Sequence, residues 1–133
     1  MKRSLHKSGG RLRDDWKRLR PRVTRHLLSD VSDRIVRAFH PHKVILFGSY
    51  AYGRPHIYSD VDLFVVMPSR ESMLKRMIRV AEVADVPFLP MDVLVYTPAE
   101  VKARRALGDY FIEEILTRGK VLYQRGARRR VGG

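Results

Sequence analysis

Residues 47–66 read FGSYAYGRPHIYSDVDLFVV: a Gly-Ser pair, ten residues, then two aspartates one apart at the head of an apolar run. Leu63-Phe64-Val65-Val66 is uninterrupted and is stopped by Pro68, the pattern of a short strand buried on both faces. Strand cores exclude carboxylates unless something balances them. Side chains alternate along a strand, so Asp60 and Asp62 project from the same face. Two carboxylates about 5 Å apart repel by roughly 3 kcal/mol at an effective dielectric near 20. A fold keeps such a pair when one acid is protonated, when basic residues pair with them, or when a divalent cation lies between them. With oxygen ligands and no cysteine in the chain, that cation would be hard, Mg²⁺ or Mn²⁺. The plainer alternative is a pair of acids capping a strand or turn.

The flanking sequence favours a site. Lys43-Val44-Ile45-Leu46-Phe47 reads as a buried strand between Pro41 and Gly48,. A short helix or turn is expected over 49–52, a loop over 53–59, and the second strand over 61–66. Glycine lets a phosphate approach the backbone closely, and the Ser49 hydroxyl adds a donor. Asp92 opens MDVLVY, residues 91–96. If the two strands are neighbours, Asp92 reaches the same cluster. Three carboxylates at strand ends beside a phosphate-bearing substrate compose a two-metal phosphoryl-transfer site.

Gly48 and Gly53 have the glycine spacing of a P-loop. Arg54-Pro55 stands where Lys-Ser/Thr is needed, which excludes that motif,. Arg54 is then either a phosphate contact or a solvated loop arginine. Tyr50, Tyr52 and Tyr58 are assigned to packing. His40, His42 and His56 are close only in sequence and read as surface or loop histidines.

The remaining chain supplies a frame. A helix over 24–39 carries the stripe Leu28, Val31, Ile35, Phe39 and ends at Pro41,. Ser69 is expected to cap a helix over 70–84, with Leu74, Met77, Ile78, Ala81 and Ala84 as its apolar face. TPAE, residues 97–100, announces a helix over 98–106, with Thr97 as N-cap, Pro98 at the first position and Glu100 completing a capping box,. Another helix over 109–118 presents Phe111, Ile112, Ile115 and Leu116, and Gly119 stops it. A last strand is expected over 121–123. The fold class is α/β (α+β), a small mixed sheet flanked by helices. The domain runs over 23–124, between a basic flexible arm, 1–22, and a basic disordered tail, 125–133.

A chain of 133 residues, 44% hydrophobic, fits one domain with a real core,. The absence of cysteine excludes a disulfide framework and thiolate metal sites,. No apolar run approaches a membrane span, and no signal peptide is read at the N-terminus, so a cytoplasmic location is expected. The net charge of +13 is uneven. Residues 1–25 hold ten Lys/Arg against Asp14 and Asp15, residues 125–133 hold four arginines and no acid, and 26–124 are nearly neutral. Such tails suit nucleic acid or an acidic partner surface. A solvated tail is the simpler account, because aromatic interleaving is nearly absent apart from Trp16.

Gly48-Ser49, ten residues, then Asp60-Val61-Asp62 gives GSx₁₀DxD, which resembles the signature of the minimal nucleotidyltransferases of the DNA polymerase β-like superfamily. The resemblance covers about 25–124 and includes the order of elements, Asp92 and the closing GKVLY. It implies the polymerase β-like nucleotidyltransferase fold. It also implies that Gly48 and Ser49, with Arg54 beside them, bind the phosphates of ATP. Asp60, Asp62 and Asp92 would hold two Mg²⁺ ions, and Asp92 would help deprotonate an acceptor hydroxyl. Larger transferases of this superfamily carry a further domain for the acceptor. Here only about 35 residues of expected order follow the third strand, so the acceptor is held by another chain, by a dimer mate, or loosely. Minimal members of this kind resemble antitoxins that pair with a HEPN-domain toxin and add AMP to a toxin tyrosine. Two other readings are a small-molecule nucleotidyltransferase, such as one modifying an antibiotic, and a module that binds nucleotide or nucleic acid without turnover. Tail charge opposite to that wanted for a cationic drug weighs against the first, and the intact acids against the second.

Overall fold

Four strands form one mixed sheet in the order β3-β2-β1-β4. A computed structural model describes residues 18–56 and 59–127. The basic arm up to residue 17, Tyr58 and the tail beyond 127 lie outside the described residues. In chain order the elements are α1 (Arg25–Phe39), β1 (Lys43–Phe47), α2 (Ser49–Tyr52), β2 (Val61–Val66), α3 (Met73–Ala84), β3 (Met91–Tyr96), α4 (Pro98–Ala106), α5 (Tyr110–Arg118) and β4 (Lys120–Gln124). β1 runs antiparallel to both β2 and β4, while β2 and β3 are parallel. The parallel pair is possible because α3 supplies the crossover that two parallel strands need.

Alternation divides the core between the two faces of the sheet. On one face Val44, Leu46, Leu63, Val65, Val93 and Val95 pack with Val31 and Ile35 of α1 and Val80 and Ala84 of α3. On the other, Ile45, Phe47, Phe64 and Val66 pack with Ile112 and Ile115 of α5. Both faces are covered, which is why Leu63 to Val66 are all buried and read as an unbroken apolar run,. Among the described residues, no helix is long and apolar enough to cross a membrane.

The helix ends follow their capping chemistry. Thr24 accepts from the Leu27 amide at 3.0 Å and starts α1. His40, in the left-handed conformation, closes α1 ahead of Pro41. The capping box of α4 is complete, with Thr97 accepting from the Glu100 amide and Glu100 accepting from the Thr97 amide. Asp109 caps α5 through the amides of Phe111 and Ile112.

α3 departs from expectation in its start and in its buried face. Ser69 does not cap it. Its hydroxyl accepts from the Glu71 amide, a local turn, and Ser72 is the N-cap,. Leu74 and Ile78 are exposed, whereas Arg76, Val80 and Ala84 are buried. The helix is rotated because Arg76 belongs inside. Its guanidinium meets both Glu100 oxygens at 2.7 and 2.9 Å and also donates to the carbonyls of Val95 and Glu71. Fully bonded, a charged head can be buried, and a count of apolar residues places it outside.

This pair ties α3 to α4. Its main cause being the Arg76 hydrogen bonds, the Glu100 carboxyl is held down to about 2. A depressed carboxyl stabilises the fold above its ordinary value near 4.5, and that contribution disappears as the pH falls toward 2,. Glu100→Gln is expected to cost about 2 kcal/mol at pH 7, discounted because the Glu100 side chain is 39% exposed,. Urea melts should show the gap from wild type closing as the pH is lowered from 5 to 2. A gap that persists undiminished at pH 2 would mean that Glu100 acts through packing instead.

Candidate active site

Register brings Phe47, Asp62 and Asp92 into one row across three strands. Phe47 pairs with Asp62 across β1 and β2, and Asp62 pairs with Asp92 across β2 and β3. Directly paired residues share a face. The next row inward is Ile45, Phe64 and Leu94, part of the cluster under α5. The two acids therefore stand one residue beyond an apolar core, at the open end of the same face. Asp60 precedes β2 and is exposed.

That placement governs their electrostatics. Burial, first, and then the charges of Asp92 and Asp60 push the Asp62 carboxyl up to about 6, and a hydrogen bond with the Asp92 carboxyl adds to the shift,. An acid half shut off from water beside two others holds its own proton more tightly.

Gly48 completes the arrangement from β1. Its backbone sits at φ 75°, ψ −158°, a region open essentially to glycine alone. A Cβ there would stand 2.1 Å from the Asp62 Oδ2. The chain turns over the carboxylate at van der Waals contact and enters α2 with Ser49, and Ala51 and Tyr52 donate their amides back to the Gly48 carbonyl at 3.0 Å. Gly53 ends α2 in the left-handed conformation, so this glycine spacing builds one tight turn of helix, in keeping with the exclusion of a P-loop. Arg54 is exposed, its amide bonded to the Ser49 carbonyl.

The structure thus brings Asp62, Asp92 and Gly48 into contact, with Asp60 and Ser49 adjoining and Arg54 farther out. The donor set fits a hard divalent cation, being all oxygen and short of positive charge. Among the described residues, no three His, Asp or Glu side chains converge as they stand to hold one metal ion.

Sequence reading missed what α5 and the N-terminal side contribute. Phe111 meets Phe47 edge-on, with centroids 5.7 Å apart. Arg118 lies 4.3 Å from the Tyr52 ring centroid. Arg20 donates to the Tyr50 hydroxyl at 3.2 Å and to the Ser59 carbonyl, bracing the loop before Asp60. No local motif announces these contacts, since they follow from strand order. A cleft of about 840 Å³ lined by Val23, Leu28, Leu46, Tyr50, Lys120 and Val121 lies by α1 and β4. Leu46 belongs to the opposite sheet face from Asp62, so that cleft is not where the acids act.

Comparison with known proteins places the fold. A presumed nucleotidyltransferase of Sulfolobus solfataricus superposes with TM-score 0.54 at 17% identity, covering 76% of this chain and 80% of its own. This likeness is one of fold. A toxin–antitoxin structure with AMP-PNP gives TM-score 0.48 at 20% identity, covering 74% of each chain. No curated protein matches the sequence. Residues 28–122 match the nucleotidyltransferase domain family, and on that stretch, which holds every described site residue, the chain belongs to this family.

Proposed function

We propose that the protein is a Mg²⁺-dependent transferase that moves AMP from ATP to a hydroxyl, and that the acceptor is a tyrosine of a partner HEPN-domain toxin. The observation that carries the transfer reading is the Asp62–Asp92 pair in contact with Gly48, an acid cluster built against a turn that only glycine can make. Asp60, Asp62 and Asp92 would hold the metal. When bound, Mg²⁺ neutralises charge on the attacking and leaving oxygens.

The chain's own groups divide the remaining work. The Gly48 turn holds the Asp62 carboxylate close, and Ser49 offers its hydroxyl to the phosphates. Asp92, on the exposed side of the pair, takes the proton of the acceptor hydroxyl. The acceptor oxygen forms a bond to the α-phosphorus, the bond from that phosphorus to the bridging oxygen breaks, and pyrophosphate leaves. Phe47, in the same row as Asp62, packs edge-on against Phe111 at the end of that row.

α4 and α5 bury one face of the sheet and β4 completes it, so these elements are occupied in closing the domain. The tyrosine and the HEPN partner come from the resemblance of GSx₁₀DxD to the minimal nucleotidyltransferases that act as antitoxins.

With ATP, Mg²⁺ and a HEPN partner, mass spectrometry should find whole AMP increments on a partner tyrosine. Absence of pyrophosphate release with every nucleoside triphosphate and every partner tried would end the transfer reading. Asp62→Asn should abolish transfer. It should also stabilise the metal-free protein above pH 6 by about 1 kcal/mol, after allowance for solvent screening. The sign follows from a carboxyl raised from 3.8 to about 6: the native state holds its proton more tightly, so wild-type stability falls as pH rises from about 4 to 6. Thermal melts in EDTA at pH 4 and pH 8 check this, and equal gaps at both values would refute it. Gly48→Ala should destabilise by roughly 2–4 kcal/mol and lose activity together, because the methyl group and the Asp62 carboxylate need the same space. An unchanged melting temperature would show that the turn can relax.

A further inference from the structure

Strand register places Asp62 and Asp92, but it does not place Asp60. That residue stands just before β2, exposed, between two buried neighbours, Ser59 and Val61. The position of its carboxylate is therefore set by the backbone on either side. Val61 donates its amide to the Pro90 carbonyl at 3.1 Å, which secures the strand side. Ser59 closes a small turn with His56. Its amide donates to the His56 carbonyl at 2.9 Å, and its hydroxyl accepts from the His56 amide at 2.8 Å. These bonds are local and hold the turn to itself. A tie from the turn to the rest of the domain comes from Arg20, whose guanidinium donates to the Ser59 carbonyl.

The same Nη2 of Arg20 donates to the Tyr50 hydroxyl at 3.2 Å. Tyr50 lies in α2 and packs against the first core cluster. In GSx₁₀DxD the ten intervening residues begin at Tyr50 and end at Ser59. Arg20 thus bonds to the first and the last residue of that spacer and draws its ends together. Its own root is held. Pro21 follows it and favours extended backbone at Arg20,. Val23 then packs against the first cluster, and Thr24 caps α1.

We propose that Arg20 is a positioning residue for the cation site: by clamping the two ends of the spacer it sets where the Asp60 carboxylate stands relative to Asp62 and Asp92. This rests on the nucleotide-transfer reading and adds to it a residue outside both the motif and the stretch 28–122 that matches the family. Asp62 and Asp92 lie in paired strands and hold their places whatever the spacer does. Asp60 has no such frame. With the clamp released, the turn at Ser59 is free to move on its hinge at Val61, and Asp60 moves with it. A cation would then have to order that segment as it binds, and the lost conformational freedom is subtracted from its affinity. With the clamp closed, the third acid is already in position.

Titration of the full chain with Mn²⁺, the free ion being followed by electron paramagnetic resonance, tests the clamp. Arg20→Gln should weaken Mn²⁺ binding about tenfold. Arg20→Lys should recover part of the loss, because an ammonium can still donate to the Ser59 carbonyl. Tyr50→Phe keeps that bond and should cost less than Arg20→Gln. In an Asp60→Asn background Arg20→Gln should weaken binding no further, since the acid through which it acts is already gone. Hydrogen exchange in the metal-free chain gives a second readout. Arg20→Gln should speed exchange of the Ser59 amide about tenfold and leave the β1 amides as they are, the mark of a local opening. Wild-type Mn²⁺ affinity in Arg20→Gln overturns the clamp and leaves the transfer reading standing. So does an undiminished loss in the Asp60→Asn background, or equally faster exchange at Ser59 and in β1. A wild-type chain that binds no Mn²⁺, with or without ATP, overturns both.

Discussion

Gly48 and Asp62 share one small volume, and the domain is arranged around that sharing. Phe47 pairs with Asp62, so the chain leaving β1 has to turn directly above a carboxylate. A backbone without a side chain can do this, and the observed φ and ψ are ones that other residues avoid,. The same turn starts α2, whose Ala51 is buried against the core. Fold and chemistry therefore depend on a single close approach. The acid cannot drift without opening the turn, and the turn cannot accept a side chain without evicting the acid.

The alternation of the sheet explains why Asp62 feels its neighbours' charges. In β1, β2 and β3, residues of one parity lie under α1 and α3 and are apolar. Residues of the other parity lie under α5 for the rows of Val66, Phe64 and Ile45, and then run out from beneath it at Asp62 and Asp92. The carboxylates border a hydrophobic cluster on one side and solvent on the other. Water screens Asp62 poorly from the apolar side, so its carboxyl responds to the charges of Asp92 and Asp60,. The open side is where ligands can enter.

Much of this was legible from local chemistry. Pro41, Gly48, Pro68 and Pro90 bracket three strands, and the capping box at Thr97 gives the start of α4 to the residue. The three acids and the Gly-Ser pair stood out because carboxylates at the head of a buried strand demand an explanation. The helical face of α3 was misread because Arg76 is polar by type and buried by circumstance, its partner Glu100 lying in another helix. The same blindness hid Tyr52 and Arg118: residues far apart in sequence meet only once β4 has laid α5 back beside β1. A mixed sheet was expected, but which neighbours run parallel lies beyond a reading of periodicity, which is the same for parallel and antiparallel neighbours.

β4 pairs with β1, joining Lys43 to Gln124, and the Arg125 amide adds a bond to the His42 carbonyl. During synthesis on the ribosome, β1 emerges early and its second neighbour emerges late. At about 5–20 residues per second, several seconds pass between them. Throughout that interval the nascent chain exposes one unpaired edge of β1, together with Ile45 and Phe64, which await Ile112 and Ile115. Unpaired edges and uncovered apolar faces are what holding chaperones recognise and what neighbouring nascent chains stick to. Translation speed between β1 and β4 thus becomes a determinant of yield for this fold,.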